Sequence, residues 1–238
     1  MELIVNKVAF KKFVNLITLS GQHQNKEALF LVQKTGITTL LKSPTNAVGI
    51  KATLKGEYTE IGELGIDDLP LFMNSLDILA GDTAKIAVKQ NKISIASGKT
   101  RASLMLRKSD YIKNNVTEEA FKQLLVKASG NEFTFGSEEI ASVLQAYNLI
   151  KSPSVKLTGK DKTLTLSFSK NENIIDTDIP ISKSVETFEA TVDSFIISLL
   201  NSINGKVTMS AKQGTPILLL QYEVPEMTIT YLIAPMVK

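Results

Sequence analysis

The 238-residue sequence has no cysteine and no tryptophan, a single histidine and only two arginines. Without cysteine there is no disulfide and no thiol chemistry, and a reducing compartment, the cytoplasm, is the simplest setting. Metal sites built on cysteine or on several histidines are excluded, which leaves carboxylates as the remaining candidate ligands. No stretch approaches the roughly 18 apolar residues of a membrane span. The opening "MELIVNKVAFKKF" is broken by Asn6, Lys7, Lys11 and Lys12, so it does not read as a signal-peptide core. What is present, 43% apolar and 21% charged residues, is the composition of a folded globular chain. Its length suits one large domain or two of ordinary size.

Charge is unevenly spread. Residues 1–110 carry 13 Lys and 2 Arg against 10 acids, a net of +5, whereas residues 131–238 carry 9 Lys against 12 acids, a net of −3. With Arg101 and Arg107 as the only guanidinium groups, bidentate reading of base edges is poorly provided for, while point-charge contact with phosphates is not. Composition alone does not separate such a surface from a lysine-rich coding bias.

Four segments space apolar residues at i, i+3, i+4 and i+7, which lines one face of a helix. They are Phe10, Phe13, Val14 and Ile17; Leu69, Phe72, Met73 and Leu76; Ile140, Val143, Leu144 and Tyr147; and Ile196, Leu199, Leu200 and Ile203. Asp67 or Asp68, Ser137 and Asp193 stand where N-caps are wanted, Pro70 is tolerable in a first turn, and Asn204-Gly205 stops the last helix. Each stripe is narrow, so each helix covers one face of something and turns the other to water.

Alternating β-branched runs follow these helices: about four strands after the first and third, about three after the second and fourth. "SVKLTGK", "KTLTLSFSK", "NIIDTDIPIS" and "ETFEATV" are the four after the third helix. The turns "KQN" at 89–91 and "KQG" at 212–214 fall at the same place in the two halves. First to third helix is about 130 residues and second to fourth about 126, too long for a solenoid repeat and right for a tandem domain. This predicts an N-terminal domain over 1–108, a connector over 109–131 and a C-terminal domain over 132–238. Within the connector, "TEEAFKQLLVKA" is expected to form a short helix capped by Thr117.

Catalytic chemistry is hard to find. His23 sits in "SGQHQNKE" and reads as a solvated loop residue with no partners for a site. Asp176 and Asp178 alternate along a strand, and Asp67 and Asp68 precede a helix. "ASGKT" at 96–100 lacks the first glycine of a phosphate loop, since Ile93 occupies that position, and reads as a hairpin turn. No metal site, cofactor or enzymatic activity is expected.

Two tandem strand-and-helix units, each with two one-faced helices, resemble the ring-shaped DNA sliding clamps of the proliferating-cell-nuclear-antigen (PCNA) type. "TYLIAPMVK" is similar to that family's terminal strand followed by Ala-Pro and an apolar residue. "GITTLLKSPTNAVGIKATL" resembles its early strand, loop and strand, and "LGIDDLPLFMNSLDILAGDTAKIAVKQNKISI" its second helix and hairpin. The resemblance implies an α+β chain of two clamp domains, each with two helices packed on antiparallel sheets, three chains closing into a ring around DNA. It implies a weakly attracting DNA lining made of Lys7, Lys11, Lys12, Asn15, Gln145, Asn148, Lys151, Ser198 and Asn201. A pocket for partner peptides falls at Leu41, Ala47, Ile112, Leu232, Ala234, Pro235 and Met236, with Leu124 and Leu125 of the connector beside it. The subunit interface falls at Arg101, Leu104 and Arg107 on one edge and Ile175, Asp176, Asp178 and Ile179 on the other. The implied partners are duplex DNA bound without sequence preference, a DNA polymerase, a clamp-loading ATPase and further copies of this chain, in the cytoplasm of a host if the chain is a phage or viral protein. A two-domain β-rich phage structural or protein-interaction module is the alternative, and a hydrolase is disfavoured by the missing catalytic groups.

Overall fold

The computed structural model describes residues 1–203, 205–212 and 217–236, with the backbone alone at 182–184. The chain forms two compact units: residues 1–46, 50–117 and 224–229 make one, and 47–49, 118–223 and 230 onward make the other.

The first unit opens with strand β1 (Glu2–Asn6), ahead of the first expected helix. Asn6 ends it and caps α1 (Lys7–Thr18), its Oδ1 accepting from the Ala9 N–H at 2.9 Å. There follow β2 (Ala28–Gln33), β3 (Gly36–Lys42), β4 (Val48–Lys55), β5 (Gly62–Ile66), α2 (Leu69–Asp77), β6 (Thr83–Lys89), β7 (Lys92–Ser97) and β8 (Thr100–Met105). Asp68 caps α2 through the Leu71 N–H at 2.8 Å, and Pro70 sits in its first turn, where a missing N–H costs nothing. One sheet runs β1-β6-β7-β8, all antiparallel, and the other includes β5-β2-β3-β4. The turns fall where the residues tolerate them: Gln90 in "KQN" has φ 53° and Gly98 in "ASGKT" has φ 57°.

The helices lie against the sheets through the stripes read from the sequence. Phe10, Phe13, Val14 and Ile17 of α1 and Phe72 and Leu76 of α2 are fully buried. Phe10 is the hub: its ring lies 6.4 Å from Phe13, 6.1 Å from Phe30 and 5.9 Å, edge-on, from Phe72. Such contacts add to area burial, because ring edges and faces carry opposite partial charge.

The second unit begins with α3 (Glu118–Ala128), the helix expected in the connector, followed by β9 (Asn131–Phe135) and α4 (Ser137–Ile150). Ser137 is already helical. The Glu139 carboxylate takes the Gly136 N–H at 2.8 Å, so the expected serine cap is replaced by a glutamate reaching back. The four strands expected next are two long ones, β10 (Ser154–Lys170) and β11 (Asn173–Asp193), paired antiparallel. The breaks read from the sequence survive as register shifts between Gly159 and Asp161 and between Asp161 and Thr163, with Asp161 at φ 54°. A bulge bends a strand without ending it. Gly159 is required there, because a Cβ would meet the Phe188 ring at 2.0 Å. Then come α5 (Phe195–Ser202), β12 (Val207–Ala211), β13 (Leu218–Val224) and β14 (Met227–Ile233), with the sheet order β14-β13-β12-β9. Asp193 serves α5 as expected, accepting the Phe195 N–H at 2.8 Å. Asn204 and the "KQG" turn beyond Lys212 lie outside the described residues. Burial, with Tyr222 adding to it, pushes the hydroxyl of Tyr231 on β14 well above the ordinary tyrosine range.

With β10 and β11 each counted as two segments, both units read strand, helix, four strands, helix, three strands. Truncation of the aromatic hub, Phe10→Ala, is expected to cost about 3–5 kcal/mol in urea unfolding. Val8→Ala, close by on the same helix and 66% exposed, is expected to stay within about 0.5 kcal/mol.

Candidate DNA lining and partner interfaces

On the first unit the outer faces of α1 and α2 carry less available charge than the sequence promises. Lys7 donates from Nζ to the Leu79 carbonyl at 2.6 Å, just beyond the end of α2, where helix carbonyls are left unpaired. Lys11 is ion-paired with Asp77 of α2. Two of the three lysines expected to face DNA therefore tie α1 to the end of α2. Lys12 lies at a recess of about 480 Å³ shared with Lys55, Tyr58 and Glu226. Burial raises the Tyr58 hydroxyl pKa, so it sits there as a neutral donor. Asn15 is exposed on the same helix.

On the second unit Gln145 and Asn148 are exposed on α4, and Ser198 and Asn201 on α5. Lys151 follows α4 at φ 48°, its N–H bonded to the Tyr147 carbonyl at 2.7 Å, and its side chain is exposed. Neither helix bears a lysine or arginine. The first turn of α4 carries Glu138 and Glu139, whereas α5 has no charged side chain.

His23 is not a solvated loop residue. It closes a short 3-10 turn and is 3% exposed, with Nδ1 2.7 Å from the Thr45 hydroxyl. The polar loop around it turns inward because Asn25, fully buried, donates from Nδ2 to the Ile17 carbonyl at 2.9 Å and receives a bond from Asn114 at 3.3 Å. Asn114 also donates to the Glu27 carbonyl at 2.7 Å, and the Lys113 N–H meets the Glu27 carboxylate at 2.7 Å. Leu41 and Asn115 form a β-bridge, and the Lys42 N–H bonds the Asn114 carbonyl at 2.8 Å. The start of the connector is thus stitched to β3 and to residues 25–27 by a buried asparagine pair. Sequence reasoning missed this pair; "NN" at 114–115 inside an otherwise solvated segment was its only trace.

The peptide-pocket residues need correction. Leu41, Ile112 and Leu232 are 0%, 4% and 3% exposed, so they are core side chains and present no surface to a peptide. They are apolar residues inside or beside strands, for which burial in the chain's own core competes with exposure in a groove. In the second unit the Ala234 N–H bonds the Ala47 carbonyl at 2.8 Å and the Met236 N–H bonds the Thr191 carbonyl at 2.7 Å. These bonds hold Ala234 and Met236 exposed and Pro235 half-buried. Leu124 of α3 is also exposed.

Among the described residues β8 pairs only with β7, and β11 only with β10, so each unit offers an open strand edge. Arg101 is exposed and Leu104 half-buried on β8. Arg107 lies beyond the strand rather than on it. Its N–H bonds the Gly65 carbonyl at 3.0 Å and its guanidinium lies 5.3 Å from the centre of the Tyr111 ring. On β11, Asp176 and Asp178 are exposed, Ile175 is half-buried, and Ile179 is 3% exposed and faces the core. Asp178 accepts the Thr165 hydroxyl at 2.6 Å.

No protein-family model matches the chain, and no curated protein matches it in sequence. Solved structures do match in fold. A chain of the structure of the C-terminal region of FEN-1 bound to A. fulgidus PCNA aligns with a TM-score of 0.80 at 12% identity, covering 100% of this chain and 98% of that one. PCNA from Thermococcus kodakaraensis aligns at 0.74 and 15% identity, over 99% of each chain. A chain of the PCNA2–PCNA3 complex from Sulfolobus tokodaii aligns at 0.72 and 13% identity, again over 99% of each. The chain therefore has the complete two-domain fold of PCNA-type clamps, helices packed on antiparallel sheets.

Asn114→Ala removes two donors and strands the Glu27 carbonyl and the Asn25 side chain. At about 1.4 kcal/mol, within the range for a buried group left unpaired, tryptic cleavage after Lys113 is expected to accelerate roughly tenfold. Thermal unfolding of the second unit is expected to be unchanged.

Proposed function

We propose that this chain is a DNA sliding clamp: a non-enzymatic homotrimer that encircles duplex DNA and tethers a DNA polymerase, and that is opened by a clamp-loading ATPase. The observation that carries the reading is the likeness in fold to PCNA structures along the whole chain. A chain of this fold needs no catalytic group, and its duplicated helix pairs then have a use. Their apolar stripes hold the sheets while their polar faces meet DNA.

The weak charge of those faces suits sliding, because strong point contacts would pin a ring in one register. Lys12, Asn15, Lys151 and the amide and hydroxyl groups of α4 and α5 form the lining. Lys7 and Lys11 stand beside them, engaged by Leu79 and Asp77. The open edges of β8 and β11 are the surfaces by which successive chains join, since an unpaired edge is satisfied by another strand. Arg101 on one edge and Asp176 and Asp178 on the other give that pairing its polarity. Ala47, Ala234, Pro235 and Met236 are the remaining candidates for the partner-peptide surface. The setting is the cytoplasm, that of the host for a phage or viral protein.

Light scattering is expected to give three times the 26.0 kDa chain mass. On primed circular DNA with its polymerase and loader, the chain is expected to lengthen the product of a single binding event. A stable monomer that leaves processivity unchanged refutes the reading. Lys12→Glu is expected to weaken retention on DNA and to lower the slope of log K against log salt by about 0.9 for each phosphate the side chain no longer neutralises. Lys11→Ala, which also frees Asp77, tests whether the ion pair keeps that carboxylate from repelling DNA.

A further inference from the structure

The sheet β1-β6-β7-β8 has one face in the core and one open. Leu3, Val5, Ala84, Ile86, Ile93 and Ile95 fill the inner face and are all buried. The alternate residues form a shallow depression of about 730 Å³ on the outer face. Its floor is made of side chains no longer than a hydroxyl: Ala87, Ser94 and Ser103 in one cross-strand row and Ala96 in the next. Lys85 and Arg101 flank that floor in register on one side, and Lys89 and Lys92 pair across β6 and β7 on the other. Against these four cations the depression has a single carboxylate, Glu2, already held by Lys85 at 2.6 Å. Among the described residues Lys89, Lys92 and Arg101 have no ion-pair partner.

We propose that this face docks an acidic peptide segment of a partner protein, laid in extended form along the strands. Carboxylates fit the cations, as the Glu2–Lys85 contact already shows at one corner. The two cationic rows are four residues apart on β6, a distance of roughly 13 Å at the rise of a strand. An extended peptide with acidic residues at i and i+4 sets both carboxylates on one face at that spacing, over a floor flat enough for its backbone. Ile4, 64% exposed beside Lys85, and Met105, 63% exposed beside Lys92, stand at opposite corners. They offer apolar contact to peptide side chains and nothing to a phosphodiester backbone. The depression also has no aromatic side chain on which a nucleobase could stack, the feature that single-stranded nucleic-acid sites rely on. Charge complementarity of this kind sets partner choice and encounter rate and weakens with salt. The docking face belongs to one sheet of the first unit and does not depend on the clamp reading.

Fluorescence anisotropy on the full chain tests it, with a labelled extended peptide carrying two glutamates four residues apart and a leucine at each end. The expected result is saturable, salt-sensitive binding that weakens at least about tenfold when both glutamates become glutamines or in Lys89→Glu/Lys92→Glu, a loss typical of removed charge pairs. Ser94→Phe, which fills the floor and keeps every charge, is expected to weaken binding as well. Circular dichroism checks that the variants remain folded. The proposal is overturned if the peptide does not bind, if the glutamine peptide binds equally, if neither variant changes the affinity, or if oligothymidylate of equal length binds more tightly than the peptide.

Discussion

Everything else in this chain depends on helices that are apolar on one narrow side only. In the first unit the constraint is concentrated at Phe10, whose ring touches Phe13, Phe30 and Phe72 and so locks α1, α2 and β2 together. Once those stripes are buried, α2 and α5 keep outer faces poor in charge, whereas α1 keeps three lysines and α4 two glutamates. The same packing brings the end of α2 beside α1, close enough for Asp77 to take Lys11 and for the Leu79 carbonyl to take Lys7. The contacts that hold α1 in place thus engage two of its three lysines, Lys11 by an ion pair and Lys7 by a carbonyl.

The sheets create the opposite situation. Each has an inner face satisfied by the core, and an edge or an outer face with no partner within the unit. The edges of β8 and β11 have no further neighbouring strand among the described residues, which is the ground for proposing them as joints between copies. The outer face of β1-β6-β7-β8 has its backbone satisfied and instead carries cations around small residues. The proposed joint and the proposed docking surface thus differ in physical kind: one demands hydrogen bonds, the other opposite charge. Arg101 belongs to both, since its side chain points to the open face of the edge strand.

The connector shows how polar groups can be structural. Asn25 and Asn114 are buried and bond to each other and to neighbouring carbonyls, so the chain leaving the first unit is fastened to it by polar contacts as well as by the buried Ile112. Buried amides specify register more sharply than a hydrophobic patch, because a misplaced one leaves a donor or acceptor unpaired. His23 is part of the same inward-turned loop.

Much of the architecture was legible because it rests on periodicity and local chemistry. The four apolar stripes, the caps at Asp68 and Asp193, the turns at Gln90 and Gly98 and the helix in the connector depend on residues within a few positions of one another. The duplication was legible because it is only the repetition of those local signals at a fixed offset. What depended on distant neighbours was not. β10 and β11 each run through a bulge because Gly159 lets the Phe188 ring cross the strand, a fact about residues 29 apart. Leu41, Ile112 and Leu232 were expected at a peptide pocket and are 0–4% exposed, and His23 reads as solvated and is buried, because a side chain's exposure is decided by what packs over it. Local spacing and cap chemistry thus account for where most helices and strands form and which side of each is apolar. Which lysines are engaged, which strands lack a further neighbour among the described residues and where cations gather depend instead on distances between residues far apart in the chain, which are set only when it packs.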